Sequence, residues 1–352
     1  MRLVKQALSG ARFQLFLSMS MRIIILSVFV FATLAGICQP SFDTASSIRD
    51  NKAILSLVVS VKDSTVYTRS FNGQKNDDLF NNQSLTKSIE AVLIGIAIDK
   101  GFIKSPDTKL AEFFPELKND PDKRKLDITL ADVMNQASGL WHENLARLDL
   151  YLKLKDPSGY VLKQPLQSQP GSELHYNNAA SHLMSVILTK ATKQTSVDFA
   201  RKYLFEPLDI HNVEWPTMND GYCDGSGLLS IRMSAVDVNK IGQLLLNGGR
   251  YKGRQIVSQT WVHTLLEPSK TYPAPWGLVN NSYALCFYHK TYRNQSVTYG
   301  MGWGGQYLVL IPGLNAVISI NQQVNDATAI KQSETFMGCI FPLIVESISR
   351  SR

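Results

Sequence analysis

The chain has 352 residues, of which 44% are hydrophobic, 18% charged and 9% aromatic; this ordinary globular make-up excludes a disordered, collagen-like or repeat protein. Its length suits two domains or one large two-lobed unit. The formal charge of +7 gives little support to an anionic partner, because Arg2, Lys5, Arg12 and Arg22 stand among the first 40 residues, where acids are absent, and 32 basic against 29 acidic residues (+3) remain without them. With no long basic run elsewhere, no nucleic-acid partner is expected.

Residues 21–38 read MRIIILSVFVFATLAGIC: an Arg, an apolar run from Ile23 to Ala35, then the small residues Gly36 and Cys38 flanking Ile37. This is secretory signal-peptide anatomy, so residues 1–38 are expected to be removed near Cys38, with Met21 as an alternative start. The run is shorter than the roughly 20 apolar residues of a spanning helix, so no membrane span is expected and the mature protein should be periplasmic or secreted. A lipid anchor on Cys38 is the weaker alternative, since bulky Ile37 stands where such processing prefers a small residue. Cys223, Cys286 and Cys339 form no CxxC, and the six histidines form no HExxH; no metal and no cofactor is expected.

Past the signal, Ala53–Ser60 (AILSLVVS) and Ser64–Phe71 (STVYTRSF) are β-rich runs joined by Val61-Lys62-Asp63, which predicts a hairpin. From Ser84 to Lys100 the sequence SLTKSIEAVLIGIAIDK is apolar almost all round, which predicts a buried helix stopped by Gly101. Residues 105–275 show helical periodicity broken by turn clusters such as Asp156-Pro157-Ser158-Gly159 and Gln169-Pro170-Gly171, and predict a mostly helical lobe. Strand character returns at Ser282–Tyr288, Gln306–Ile311 and Ala316–Asn321, the last two turned by Pro312-Gly313, before a closing helix over 327–349. Strands at both ends with helices between them make an α+β fold over 45–350, with a sheet lobe of 50–104 and 276–350 and a helical lobe of 105–275.

Three groups of residues carry candidate chemistry. Ser84-Leu85-Thr86-Lys87 is an SxxK, whose spacing on a helix puts both side chains on one face. A serine there can lose its proton to the amine, and the helix dipole favours the developing negative charge. Burial in an apolar helix weakens an amine's hold on its proton, which suits a base. The plainer alternative is a capping Ser with a solvated Lys. Tyr176-Asn177-Asn178 precedes an apolar helix; a phenol near a protonated Lys can relay a proton, and Asn178 can hold the Lys87 ammonium through its oxygen. Packing and helix capping are the alternative roles. The third group, Tyr299-Gly300-Met301-Gly302-Trp303-Gly304-Gly305-Gln306, has four glycines in six residues ahead of a strand, where a substrate carbonyl could approach the backbone. The N–H groups of Trp303 and Ser84 are the oxyanion-hole candidates; a bulged turn is the alternative.

Together these residues resemble the serine β-lactamase and penicillin-binding-protein superfamily, especially its class C β-lactamase-related esterases, D-aminopeptidases and 6-aminohexanoate-oligomer hydrolases. The resemblance covers about residues 50–348 in four ordered segments: SLTKSIEAVLIGIAIDKGFI, ITLADVMNQASGL, PGSELHYNNAASHLMSVILTKAT, and Gly225–Val262 beginning GSGLLSI. It implies a β-lactamase/transpeptidase-like fold, with an antiparallel sheet flanked by helices plus a helical lobe. It also implies an acylation and deacylation cycle on Ser84 with Lys87 and Tyr176 as proton shuttles, Asn178 matching the end of a YxN motif, and a small or peptide-like acyl substrate. The third motif, KTG or HxG in the family, aligns with Gly300-Met301-Gly302. Without a cation at 300 the hold on a substrate carboxylate is reduced, which favours esters or amides over β-lactams, and Gly300→Lys is expected to improve penicillin acylation. A slowly deacylating penicillin-binding or sensor module, or a true β-lactamase or D-Ala-D-Ala carboxypeptidase, is the alternative.

Overall fold

Lys62 and Asp63 at φ 49° and 64° turn strand β1 (Ile54–Val61) back onto β2 (Ser64–Ser70). Positive φ at both turn residues gives the twist that paired strands need. A computed structural model provides the structure of residues 41–143, 147–274 and 281–350; the expected signal segment, with Met21 and Cys38, lies outside the described residues.

The chain closes its sheet with β3 (Tyr272–Pro273), β4 (Ser282–Ala284), β5 (Phe287–Tyr292), β6 (Gln295–Gly302), β7 (Gln306–Ile311) and β8 (Ala316–Gln322). Among the described residues the order is β2-β1-β8-β7-β6-β5-β4-β3, antiparallel throughout. Two segments far apart in sequence, Ile54–Val61 and Ala316–Gln322, therefore meet at β1 and β8, as an α+β sheet lobe requires.

Two strand expectations need correction. Ser282–Tyr288 is not one strand: Leu285 and Cys286, at φ 48° and 68°, fold it into the β4–β5 hairpin. No turn residue announces this bend. It is held by tertiary bonds, from Leu285 N to Asn135 Oδ1 at 2.8 Å and from Cys286 N to Met134 O at 3.0 Å. Conversely, Tyr299–Gly302 continues β6 as regular strand paired with β7, and only Trp303–Gly305 makes the turn.

Both sheet faces are covered, which explains why every residue of β7 and β8 is buried. One face packs on helices α1 (Leu85–Asp99) and α3 (Ala235–Leu246), through Leu85, Leu244, Leu308, Leu310 and Val317. The opposite face, with Tyr67, Val309 and Ile318, packs on Phe336, Phe341 and Ile344 of the C-terminal helical segment and on Phe42 and Ile48. Helix α1 has 13 consecutive buried residues, Leu85 to Ala97, and stops at Gly101, φ 75°. Helix α2 (Asn178–Thr192) lies against α1; Asn177 caps it by accepting from Ala180 N at 2.7 Å. A two-residue ladder, Phe80–Asn81 with Arg232–Met233, ties the approach to α1 to the segment ahead of α3.

Candidate active site

Ser84 stands immediately before α1 with helical angles (φ −63°, ψ −8°), and its N–H meets no acceptor among the described residues. Gln83 before it has φ 52°, an uncommon angle for a residue with a Cβ, and is held by a bond from its N–H to Asn81 Oδ1 at 3.0 Å. One turn on, Lys87 is 1% exposed and its Nζ lies 3.0 Å from Ser84 Oγ. The same ammonium donates to Asn178 Oδ1 at 2.8 Å and to the Ser226 carbonyl. Three acceptors match its three N–H bonds, which excludes the solvated-lysine alternative. The Tyr176 ring lies with its centroid 4.9 Å from Nζ, within cation–π range. Ser84, Lys87, Tyr176 and Asn178, spread over two segments of sequence, are thus brought together.

Sequence reasoning missed the residues that hold this group in place. Glu143, 7% exposed, accepts from Asn178 Nδ2 at 2.6 Å, Asn178 N at 3.2 Å and Ala179 N at 3.0 Å. A carboxylate on the first amides of α2 complements the helix dipole and turns the Asn178 amide so that its oxygen faces Lys87. Asp224, fully buried, gathers the N–H groups of Ser226, Leu229 and Ser230 and the Ser226 hydroxyl, which shapes the loop that offers the Ser226 carbonyl to Lys87. Gly227 brings that loop against the nucleophile: a Cβ there would fall 2.8 Å from Ser84 Cα, and φ is 79°. The one signal available was the GSG of the fourth segment; nothing in the spacing singles out Glu143.

Glu90, one turn beyond Lys87 on α1, is 1% exposed, and neither carboxyl oxygen has a hydrogen-bond partner among the described residues. Burial and the nearby Asp224 raise its pKa well above the usual carboxylate range, against the opposing pull of Lys87.

The third group is built differently from the expectation. A Cβ on Gly300 would fall 2.4 Å from Leu85 Cδ1 and 2.6 Å from Ser88 Oγ; one on Gly302 would fall 2.3 Å from Asn82 O. These glycines let β6 press against the start of α1, so a lysine at position 300 requires Leu85 and Ser88 to shift, which counts against the expected gain from Gly300→Lys. Met301 packs against the outer core of the sheet. Trp303 follows β6, is 47% exposed, and donates from Nε1 to Asp326 Oδ1 at 2.7 Å. Among the described residues no group of three or more His, Cys, Asp or Glu is arranged to hold a metal.

A serine at a helix start, a buried lysine one turn on and a tyrosine and asparagine beside it, carried by an antiparallel sheet with flanking helices, are the arrangement of the β-lactamase and penicillin-binding-protein fold. The chain belongs to the Beta-lactamase family, whose model matches residues 49–333. It is 24% identical over 265 residues to the 6-aminohexanoate-dimer hydrolase of Paenarthrobacter ureafaciens, covering 69% of this chain and 65% of that protein, just under two thirds of the relative's length. Among solved structures, a Bacillus anthracis protein described as a 6-aminohexanoate-dimer hydrolase superposes with a TM-score of 0.71 at 18% identity, over 87% of this chain and 81% of that one. A D-stereospecific amidohydrolase from Streptomyces sp. superposes with a TM-score of 0.63 at 13% identity, over 85% and 99% of the two chains. At these identities the solved structures speak for the fold.

Proposed function

We propose that the protein is a serine hydrolase that forms an acyl-enzyme on Ser84 and hydrolyses an ester or amide of a small or peptide-like substrate. The observation that carries this reading is the 3.0 Å contact between Lys87 Nζ and Ser84 Oγ at a buried site whose other two acceptors are Asn178 and Ser226. In the reacting form Lys87 is a neutral amine. Two N–H bonds remain on the Asn178 oxygen and the Ser226 carbonyl, and the lone pair faces the Ser84 hydroxyl.

As Oγ bonds to the substrate carbonyl carbon, its proton passes to Lys87 and the carbonyl electron pair moves onto oxygen, towards the amides of Ser84 and Trp303. Tyr176 gives its proton to the leaving alcohol or amine as that bond breaks, and recovers one from Lys87. Water then attacks the acyl-serine ester; its proton goes to the same bases, the product leaves as a carboxylic acid, and Ser84 Oγ regains its hydrogen.

An uncharged ester or amide suits a third motif with no cation at Gly300. The signal-like segment 21–38 supports a periplasmic or secreted location. Rapid-quench kinetics with a p-nitrophenyl ester test the mechanism: a burst of one nitrophenol per protein, then steady turnover, is expected. A burst without turnover marks a slowly deacylating acyl-binding module, and no burst with full turnover in Ser84→Ala refutes the nucleophile.

A further inference from the structure

His182 lies on α2, fully buried, on the far side of the loop that offers its Ser226 carbonyl to Lys87. Its Nε2 lies 3.2 and 3.1 Å from the two Asp220 oxygens. Its Nδ1 accepts from Gly225 N at 3.3 Å. Gly225 is the residue before Ser226, and its other side is closed: a Cβ there would fall 2.7 Å from Glu90 Oε2 and 3.1 Å from Ser181 O. The loop just ahead of the Lys87 acceptor is therefore clamped at Gly225 between an imidazole nitrogen and the α1 side chain one turn from Lys87, with Asp224 fixing the residues that follow.

We infer that His182 is a positioning residue for Lys87, acting through Gly225 and Ser226 and held in one tautomer by Asp220. Only the ring with its hydrogen on Nε2 does this. That hydrogen points to Asp220, which itself also accepts from Ser158 N at 3.3 Å and Tyr222 N at 3.4 Å, and the bare Nδ1 receives the Gly225 N–H. A hydrogen on Nδ1 would set two donors against each other and push the Asp224-Gly225 peptide, and with it the loop that carries Ser226, away from α2. The Ser226 carbonyl would then leave Lys87, whose neutral amine would lose one of the two acceptors that keep its lone pair on Ser84. Among the described residues the titratable groups around the ring and this loop include Asp220, Asp224, Glu90, Lys87, Tyr151, Tyr222 and Cys223. The inference rests on the Ser84 acyl-enzyme reading and adds a part to it.

Two isosteres separate the halves of the ring. Asn keeps an acceptor where Nδ1 stood and loses the Asp220 bond; Gln keeps a donor where Nε2 stood and loses the Gly225 bond. The acylation rate of Ser84 by an activated ester, followed by intact mass, is expected to stay near the wild-type value in His182→Asn. In His182→Gln it is expected to fall about tenfold or more, with KM little changed, as small misplacements of catalytic groups do. A purely structural His–Asp pair predicts the reverse ranking. Gln equal to or faster than Asn overturns the inference, whereas wild type that is never acylated at Ser84 overturns the functional reading itself. Nitrogen NMR of the wild-type chain tests the geometry without a variant: protonated Nε2 with bare Nδ1 at His182 is expected, and an Nδ1–H or doubly protonated ring contradicts it.

Discussion

Glu143 and Asn178, 35 positions apart in the chain, share a 2.6 Å hydrogen bond, and that bond decides which end of the Asn178 amide meets Lys87. With Nδ2 committed to the carboxylate, Oδ1 is left as the acceptor for the ammonium. Glu143→Ala leaves the Asn178 amide and the first N–H groups of α2 without their partner, which costs about 1–3 kcal/mol when the groups are buried. The expected result is a lower melting temperature together with a kcat loss of about tenfold or more. Unchanged kcat alongside the stability loss would confine Glu143 to the fold.

Lys87→Met and Tyr176→Phe are each expected to lower kcat by about 100-fold or more, the usual scale for a lost proton-transfer group. The two should differ in stability. Lys87→Met also strands the Asn178 oxygen and Ser226 carbonyl, so its urea midpoint should fall, while Tyr176→Phe keeps the ring and should melt near wild type. Near-wild-type rates in Tyr176→Phe would remove the phenol from the mechanism.

Glu90 makes stability depend on pH in a direction opposite to that of a salt-bridged carboxylate. Burial first, then Asp224, raises its pKa, so the folded chain keeps the proton where the unfolded chain, with an ordinary pKa of about 4.3, has released it. The unfolded state then binds fewer protons. The contribution is complete below the ordinary carboxylate range and is lost as pH rises through the window up to the folded pKa, at about 1.4 kcal/mol per pH unit. Urea titrations across that window should show the slope in wild type and a flatter curve in Glu90→Gln; parallel curves would mean that Glu90 is ionised in the fold.

Position 300 offers a steric test of why the third motif lacks its cation. A Cβ would meet Leu85 and Ser88 at 2.4 and 2.6 Å, so Gly300→Ala should destabilise by about 1–3 kcal/mol through overpacking. Gly300→Lys should lose activity on esters and cephalosporins alike, because β6 must move off α1. A selective gain on a cephalosporin would show that the contact yields easily and that charge is what the motif lacks.

The residues that repeat a pattern were legible in the sequence. Ser84 and Lys87 are fixed by helical spacing, the β1–β2 hairpin by its polar turn, and α1 by an apolar run that Gly101 ends. What stayed hidden depends on distant partners. The Leu285–Cys286 turn carries no turn residue and is held by Met134 and Asn135, so its apolar sequence reads as uninterrupted strand. Glu143, Asp224 and His182 meet the site mostly through backbone N–H groups, Glu143 also through the Asn178 side chain 35 positions away, and such bonds leave no spacing in the chain to find. The glycines of β6 read as an open turn, although Gly300 and Gly302 lie within the paired strand and are small because α1 presses on them.

The central claim, a nucleophilic Ser84 activated by Lys87, is tested most directly by intact-mass measurement after exposure to a fluorophosphonate, with the adduct mapped by peptide sequencing. The expected result is a single adduct on Ser84 in the wild type, slowed in Lys87→Met and absent from a folded Ser84→Ala. An adduct on any other residue, or full labelling of Ser84→Ala, would contradict the account.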